Sequence, residues 1–265
     1  MPHISIITPS FNQAQFIRRT IDSILSQRGD FELEYRVLDG GSTDGTIEIL
    51  KSYGPRFQWN SEPDGGQVQA INRGLREARG DILAWVNSDD VLLPGALAAV
   101  AEAFAKSPDA LWLHGSCEVI DAEDRPIRRW ISRYKDFRAR RHSYANLAQE
   151  NYISQMTVFW RREMRDKVGY LDDSLKLAFD YDLWLRMSKL SDPIYLPQRI
   201  ACFRWYDTSK SGAQYVRQFA EDQRISARHL PPELSGLLWR KWVKNHGIVF
   251  IYRLLSTLRV LRAQK

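Results

Sequence analysis

Two adjacent carboxylates, Asp89 and Asp90, close the tetrad Asn87-Ser88-Asp89-Asp90, which directly follows an apolar run at 82–86. Unpaired charge is costly to bury, so a pair of acids here is not core material. Hard carboxylate oxygens suit Mg²⁺ or Mn²⁺, which take one or two protein carboxylates and complete their shell with phosphate oxygens and water. The competing reading is a helix cap, with Asp89 or Asp90 closing the first turn of a helix that begins after Pro94-Gly95. A second cluster, Asp39-Gly40-Gly41-Ser42-Thr43-Asp44-Gly45, joins a carboxylate able to accept hydrogen bonds from a base to glycines that permit a tight turn. It equally describes a turn followed by a helix cap. Pro9-Ser10-Phe11-Asn12 adds a ring and an amide.

An alternation of strands and helices positions these clusters. Residues 3–8 are β-branched and apolar and stop at Pro9-Ser10, which predicts a short buried strand. Residues 14–26 place Phe16, Ile17, Ile21, Ile24 and Leu25 at helical spacing. Further strands are predicted at 34–38, 57–59 and 82–86, and helices at 46–53, 66–79 and from Pro94-Gly95 onward. This is the repeat of βαβ units in a mainly parallel sheet, whose ligands bind beyond the carboxyl ends of the strands. All three polar clusters fall at such ends, so a nucleotide site is expected along that edge. The second half is less regular. Strand character recurs at 111–120 and 152–160, Arg and aromatic residues crowd 125–142, and a helix at 180–190 carries Leu183, Trp184, Met187 and Leu190 on one face.

The chain has 265 residues, enough for one sizeable α/β domain and an appendage. Hydrophobic residues at 44% and charged residues at 26% describe a folded protein. Cys117 and Cys202 have no CxxC spacing and sit in apolar surroundings, so two reduced, buried thiols are expected, without disulfide or zinc. No signal peptide and no apolar run of about 18 residues is visible, which points to a cytoplasmic protein. The net charge of +6 resembles that of a nucleic-acid binder, but from Leu234 onward there are seven basic and no acidic side chains. The preceding residues carry 31 basic against 32 acidic groups, so the body is neutral and no nucleic-acid partner is expected.

The ordered motifs Thr8-Pro9-Ser10-Phe11-Asn12, Asp39-Gly40-Gly41-Ser42-Thr43-Asp44-Gly45-Thr46, Ala70-Ile71-Asn72-Arg73-Gly74 and Asn87-Ser88-Asp89-Asp90 resemble those of the family 2 inverting glycosyltransferases. The resemblance continues through Phe159-Trp160-Arg161-Arg162, Val168-Gly169-Tyr170-Leu171-Asp172 and 180–186, and it covers about residues 3–212. It implies the GT-A fold, a mixed, mainly parallel sheet flanked by helices, and a donor that is a nucleotide diphosphate sugar, usually a UDP-sugar. It also implies site roles. Thr8, Pro9, Phe11, Asp39 and Asn72 would serve the nucleotide, Asn87 and Ser88 the ribose and diphosphate, and Asp89 a divalent Mn²⁺ or Mg²⁺. Asp180 would be the catalytic base. Inversion requires one carboxylate facing the acceptor hydroxyl and cationic help at the departing diphosphate, which matches this division. Asp182 is expected to pair with Arg186 at i,i+4. Two positions depart from the family pattern. Asn87 stands where the first carboxylate of the D-x-D triplet usually stands, and Tyr206 where a His often follows the Arg204 segment. Both leave the metal resting on Asp89. A nucleotidyltransferase is disfavoured, because residues 9–15 lack a Gly-rich, Lys/Arg-bearing phosphate loop; a non-catalytic nucleotide-sugar-binding relative is the alternative.

The expected organisation is a catalytic domain at 1–212, with a nucleotide-sugar half at 1–110 and an acceptor half at 111–212, and a basic helical extension at 213–265. The Arg-rich stretch could line the site of a carbohydrate or lipid-linked acceptor, or be a solvated face. Residues 237–261 mix apolar side chains with Trp, Tyr and cations only. That composition fits a helix lying on an anionic membrane surface, which would place the enzyme peripherally on the inner face of the cell membrane. It fits equally a helical pair packing on the catalytic domain or on a second subunit of a homo-oligomer.

Overall fold

Strand β1 (His3–Ser10) is buried along all but its first residue, as its Ile-rich sequence requires. It lies between two parallel neighbours, β2 (Glu32–Asp39) and β4 (Ile82–Trp85), and β2 in turn pairs in parallel with β3 (Gln58–Ser61). Helices α1 (Ile17–Leu25), α2 (Thr46–Ser52) and α3 (Gln67–Glu77) make the crossovers. These coordinates are a computed structural model that describes residues 1–210 and 214–230, with the isolated positions 233, 236, 238, 239, 241 and 243.

The second half extends the same sheet. After β5 (Val91–Leu92) and α4 (Ala96–Lys106) come β6 (Trp112–Ile120), β7 (Pro126–Ile127), α5 (Arg129–Ala139) and α6 (Tyr144–Gln149). They are followed by β8 (Val158–Arg161), α7 (Arg162–Val168), α8 (Phe179–Leu190), β9 (Ile194–Arg204) and α9 (Tyr215–His229). The sheet order is β3-β2-β1-β4-β8-β6-β9-β5, with β7 on β6. Strands β1 to β4 pair with one another wholly in parallel. Antiparallel pairs enter with β8, β7 and β5, while β6 and β9 run parallel.

Alternation along β1 feeds two cores. Ile4 and Ile6 pack with Ile17, Ile21, Leu97 and Val100 on the side of α1 and α4. Ile7 packs with Ile71, Leu75, Trp85 and Trp184 on the side of α3 and α8. Trp184 stacks on Trp85 at 5.5 Å between ring centroids and on Trp112 at 6.3 Å, and all three rings are fully buried. This aromatic column pins α8 to the sheet. Helix α9 then clamps α8, through Glu221 oxygens that accept from the backbone N–H of Lys176, Leu177 and Ala178 at 2.6–3.1 Å. His229 adds a 2.7 Å contact to Asp182. The first helix of the expected extension is therefore bound to the catalytic body. The amphipathic segment 237–261 lies outside the described residues, apart from a few isolated positions. Among the described residues no helix is long and apolar enough to cross a membrane. Both cysteines are buried and free.

Two expectations change, and one strand had none. Residues 14–16 are not helical: Asn12 adopts a left-handed φ of 51°, and the N–H groups of Gln13 and Ala14 are taken by the side chains of Thr46 and Asp44. Only the end of 152–160 is strand. Gln155 is drawn away by its side-chain bond to the Trp85 carbonyl (2.7 Å), so 152–157 forms a loop with one 3₁₀ turn. Strand β9, without a sequence expectation, carries Pro197 and exposed Gln198 and Arg199 where it bulges against Gly115–Cys117 of β6, which hides its period-2 pattern.

Candidate active site

Where β1 and β2 end, the polar clusters tie to one another. Asn12 donates its backbone N–H to Ser42 Oγ at 2.7 Å, and its Oδ1 accepts from the Thr43 N–H at 2.9 Å. Asp39 accepts from the Ser42 hydroxyl (2.5 Å), the Ser42 N–H (2.9 Å) and the Ser61 hydroxyl (2.6 Å). Its carboxylate thus shapes the turn as well as facing a pocket of about 360 Å³ bordered by Asn60, Glu62, Asp64 and Arg73. Phe11 projects from the same edge at 61% exposure. Thr8 does not reach it. Its buried hydroxyl accepts from Tyr35, so it belongs to the core, beneath the buried Pro9. Asn72 borders the pocket, but both ends of its amide are taken by the Leu171 backbone, at 2.9 and 3.0 Å, which makes it a latch between α3 and the segment before α8.

The tetrad after β4 is not a helix cap. Gly95, with φ 78°, occupies the N-cap of α4, and no side chain caps it. Instead, Asn87 is a hub. Its Oδ1 accepts from Gln67 at 2.9 Å, and its amide donates to Asp90 and Gln155 at 3.1 Å. Ser88 is buried, and its carbonyl accepts from the Thr20 hydroxyl at 2.9 Å. Asp90 is wholly buried and accepts from the Arg204 N–H at 3.1 Å. Burial, and next the charge of Asp89, push its carboxyl far above the ordinary range.

Arg204, also fully buried, donates to the carbonyls of Asp89 (2.9 Å) and Asp121 (2.8 Å) and to the Asp124 carboxylate (2.5 Å). The buried guanidinium and Asp90 therefore fix the backbone, which leaves Asp89 as the half-buried acid of the pair. Asp89 Oδ2 accepts from Tyr206 at 2.9 Å. Burial raises the Asp89 carboxyl, while Tyr206, Arg204 and Lys210 oppose that rise. Lys210 itself donates to Gln67 Oε1 at 2.6 Å. Among the described residues no group of three His, Cys, Asp or Glu side chains could hold an ion unaided. One half-buried carboxylate fits an ion whose other ligands arrive with a diphosphate.

Asn87 also opens onto a larger cavity of about 650 Å³, floored by β6, walled by 151–156 and α9, and roofed by α5. Trp85, Tyr152, Phe179 and Trp205 supply its apolar surface, and Asp180, Lys135, Asp222 and Asn151 its polar groups. Asp180 stands in the first turn of α8, whose N-cap is Ala178. Its carboxylate accepts from the N–H of its neighbour Tyr181 at 2.7 Å and from the Asn151 side chain, so it does not cap the helix; Glu221 serves that end instead. Burial raises the Asp180 carboxyl to about 6, against the bond from Tyr181 and the charge of Lys135. Asp222 is likewise raised to about 7, by burial foremost and by the Asp180 charge, against Lys241.

Asp182 differs in every respect. It is 3% exposed and pairs with Arg186 at 2.9 Å and His229 at 2.7 Å. Burial pushes its carboxyl up, but these partners outweigh it and hold it below the ordinary range. Lys135 and Asp222 carried no sequence signal, since each joins the site only through folding: one on an Arg-rich helix, the other beyond residue 212.

The geometry has counterparts among known proteins. The family described as Glycosyl transferase family 2 matches residues 5–166. An uncharacterized glycosyltransferase of Mycobacterium tuberculosis is 32% identical over 199 residues, 73% of this chain and 71% of that protein. Pasteurella multocida hyaluronan synthase is 27% identical over 197 residues, 72% of this chain but 19% of the synthase. Among solved structures, S. aureus TarS 1–349 in complex with UDP-GlcNAc superposes with a TM-score of 0.69 at 19% identity, over 92% of this chain and 72% of that one. The mannosyltransferase PcManGT of Pyrobaculum calidifontis, in complex with GDP-Man and Mn²⁺, gives 0.67 at 19% identity, over 92% and 70%. Both share the GT-A architecture. With more than half its length matched by the family and its motifs gathered at the carboxyl edge of a GT-A sheet, this chain is a member of glycosyl transferase family 2.

Proposed function

We propose that the chain transfers a sugar from a UDP-sugar to an acceptor hydroxyl with inversion at the anomeric carbon, in the synthesis of a cell-surface polysaccharide or glycolipid. The observation that carries this reading is the separation of two carboxylates by environment. Asp89 sits with Tyr206 and Lys210 at the nucleotide edge, and Asp180 faces the cavity with a carboxyl raised to about 6. The relatives bound to UDP-GlcNAc or to GDP-Man and Mn²⁺ support a nucleotide-sugar donor and a divalent ion.

In this mechanism Phe11 and the Asp39 turn receive the nucleobase, with Asn87, Ser88 and Asp89 at the ribose and diphosphate. The cavity receives the acceptor. Its aromatic surface suits the apolar face of a sugar ring, and it keeps bulk water from the reacting carbon. Asp180 accepts the acceptor's hydroxyl proton as that oxygen attacks, and a base near neutrality is matched to the task. Asp89 would hold a divalent ion, which offsets the charge that develops on the departing diphosphate. Lys210 adds a cation at the same end.

The test is nucleotide release from a panel of UDP- and GDP-sugars with Mn²⁺ or Mg²⁺, in wild type and Asp180→Asn. Transfer in wild type only, with donor binding retained in the variant, is expected. Equal, slow release by both proteins would leave a nucleotide-sugar binder instead.

A further inference from the structure

Helix α5 has two opposed faces. Its inner face, with Ile131, Ser132, Lys135, Asp136 and Ala139, borders the cavity that holds Asp180. Its outer face carries Trp130 at 71% exposure, Tyr134 at 40% and Phe137 at 50%. At 100° per residue these three rings fall within an arc of about 60°. Arg133 and Arg141 stand on the same side, flanked by Arg129 and Arg140, and all four are exposed. The Arg141 guanidinium lies 4.0 Å above the Phe137 ring. The one acid within the helix, Asp136, is turned away and accepts from the Tyr195 hydroxyl at 2.9 Å.

A stripe of three exposed aromatic rings bordered by arginines is not a solvated face. Soluble surfaces scatter such rings singly, and a clustered apolar strip marks a contact. We infer that the outer face of α5 docks on an anionic lipid bilayer, with Trp130, Tyr134 and Phe137 entering the headgroup layer and the arginines meeting lipid phosphates. Charge selects this occupant. A two-fold contact with a second copy would bring the same arginines face to face. The chain's own C-terminal segment, with seven basic and no acidic residues from Leu234 onward, would be repelled as well. An anionic surface satisfies the cations, and rings with an amphipathic or flat aromatic character partition at that depth.

The contact is independent of the glycosyl-transfer reading. Where that reading also holds, one helix forms both the membrane-facing surface and the cavity roof, so an acceptor anchored in the bilayer meets Asp180 without leaving it.

The test uses the full chain with vesicles of phosphatidylcholine, alone or mixed equally with phosphatidylglycerol. Binding to the anionic vesicles only is expected. It should fall at least tenfold in Trp130→Ser/Phe137→Ser and about fivefold for each of Arg129→Gln and Arg133→Gln, and should weaken with salt. These positions are exposed, so an unchanged melting temperature confirms folding. Because Cys117 and Cys202 are buried, Trp130→Cys can be labelled selectively with an environment-sensitive dye. A blue shift on anionic vesicles is expected. No shift, or full vesicle binding by Trp130→Ser/Phe137→Ser, would overturn the proposal and assign any membrane affinity to 237–261. Concentration-dependent dimerisation lost in the same variant, without vesicle binding, would overturn it in favour of a second copy.

Discussion

Transfer should titrate on Asp180. Its carboxyl lies at about 6 because burial disfavours the charged form, with the Tyr181 N–H and Lys135 as opposing influences. The base works only when ionised. With a midpoint at about 6, about nine tenths of the enzyme is competent at pH 7 and about one tenth at pH 5, a tenfold fall. An unshifted aspartate would still be more than about nine tenths ionised at pH 5, and the rate would barely change. Lys135→Met removes a stabilising positive charge, so the acid limb should move to higher pH. Asp180→Asn should lower transfer by about 10²–10⁴ and abolish the limb.

Stability gives an independent reading of the same shift. The native state holds the Asp180 proton more tightly than the unfolded chain, so stability declines as pH rises from about 4 to about 6 and stays lower above. A shift of about two units corresponds to at most about 3 kcal/mol, and residual solvent access reduces this to about 2 kcal/mol. Asp180→Asn should therefore melt roughly 4–8 °C above wild type at pH 7, with the gap closing at pH 4. The assays are initial rates against pH with saturating donor, and calorimetric melts at both pH values. A flat rate profile down to pH 5, or a variant that melts below wild type at pH 7, would refute the assignment of a buried, raised base.

Three further outcomes follow from the same geometry. Asp89→Ala should abolish Mn²⁺-dependent donor binding while leaving the fold intact, since Asp90 and Arg204 carry the local structure; unchanged donor affinity by titration calorimetry would contradict it. Arg204→Met should cost about 3–5 kcal/mol in chemical denaturation, because it leaves the carbonyls of Asp89 and Asp121 without their donor and removes the cation beside the buried Asp90. Asn72→Ala should cost about 2–3 kcal/mol by loss of both Leu171 bonds, with donor affinity unchanged. A selective loss of donor affinity there would restore Asn72 to the nucleotide site.

The first half of the fold was legible because its central strands, β1 and β4, are buried on both faces and α1 and α3 are amphipathic. Residues 82–86 could only be a central strand, and the polar residues after it had to emerge at the ligand edge. The second half resisted for opposite reasons. Strand β9 is broken by Pro197 and a bulge, and the loop 152–157 looks strand-like because Tyr152, Ile153 and Met156 are apolar, yet they pack around the cavity wall. Single-residue roles were less legible than positions. Thr8, Asn72 and Asp90 belong to the right motifs, but their polar atoms are satisfied by the protein itself.

The same distinction separates two pairs of neighbouring acids. Asp89 and Asp90 are neighbours, as are Asp180 and Asp182 one residue apart, and spacing cannot say which member of each pair is free to act. Packing does. Asp90 is bound by Asn87 and the Arg204 backbone, and Asp182 by Arg186 and His229, so each is a structural acid. Their companions are partly exposed: Asp89 accepts through one oxygen from Tyr206, and Asp180 from the Tyr181 N–H and the Asn151 side chain. In each pair the structural acid anchors the segment that aims the exposed one. Substituting Asp182 should thus impair transfer by displacing Asp180, and it should also lower stability, whereas substituting Asp180 itself lowers transfer and raises stability. In this second pair the sign of the stability change distinguishes the acid that reacts from the acid that holds it.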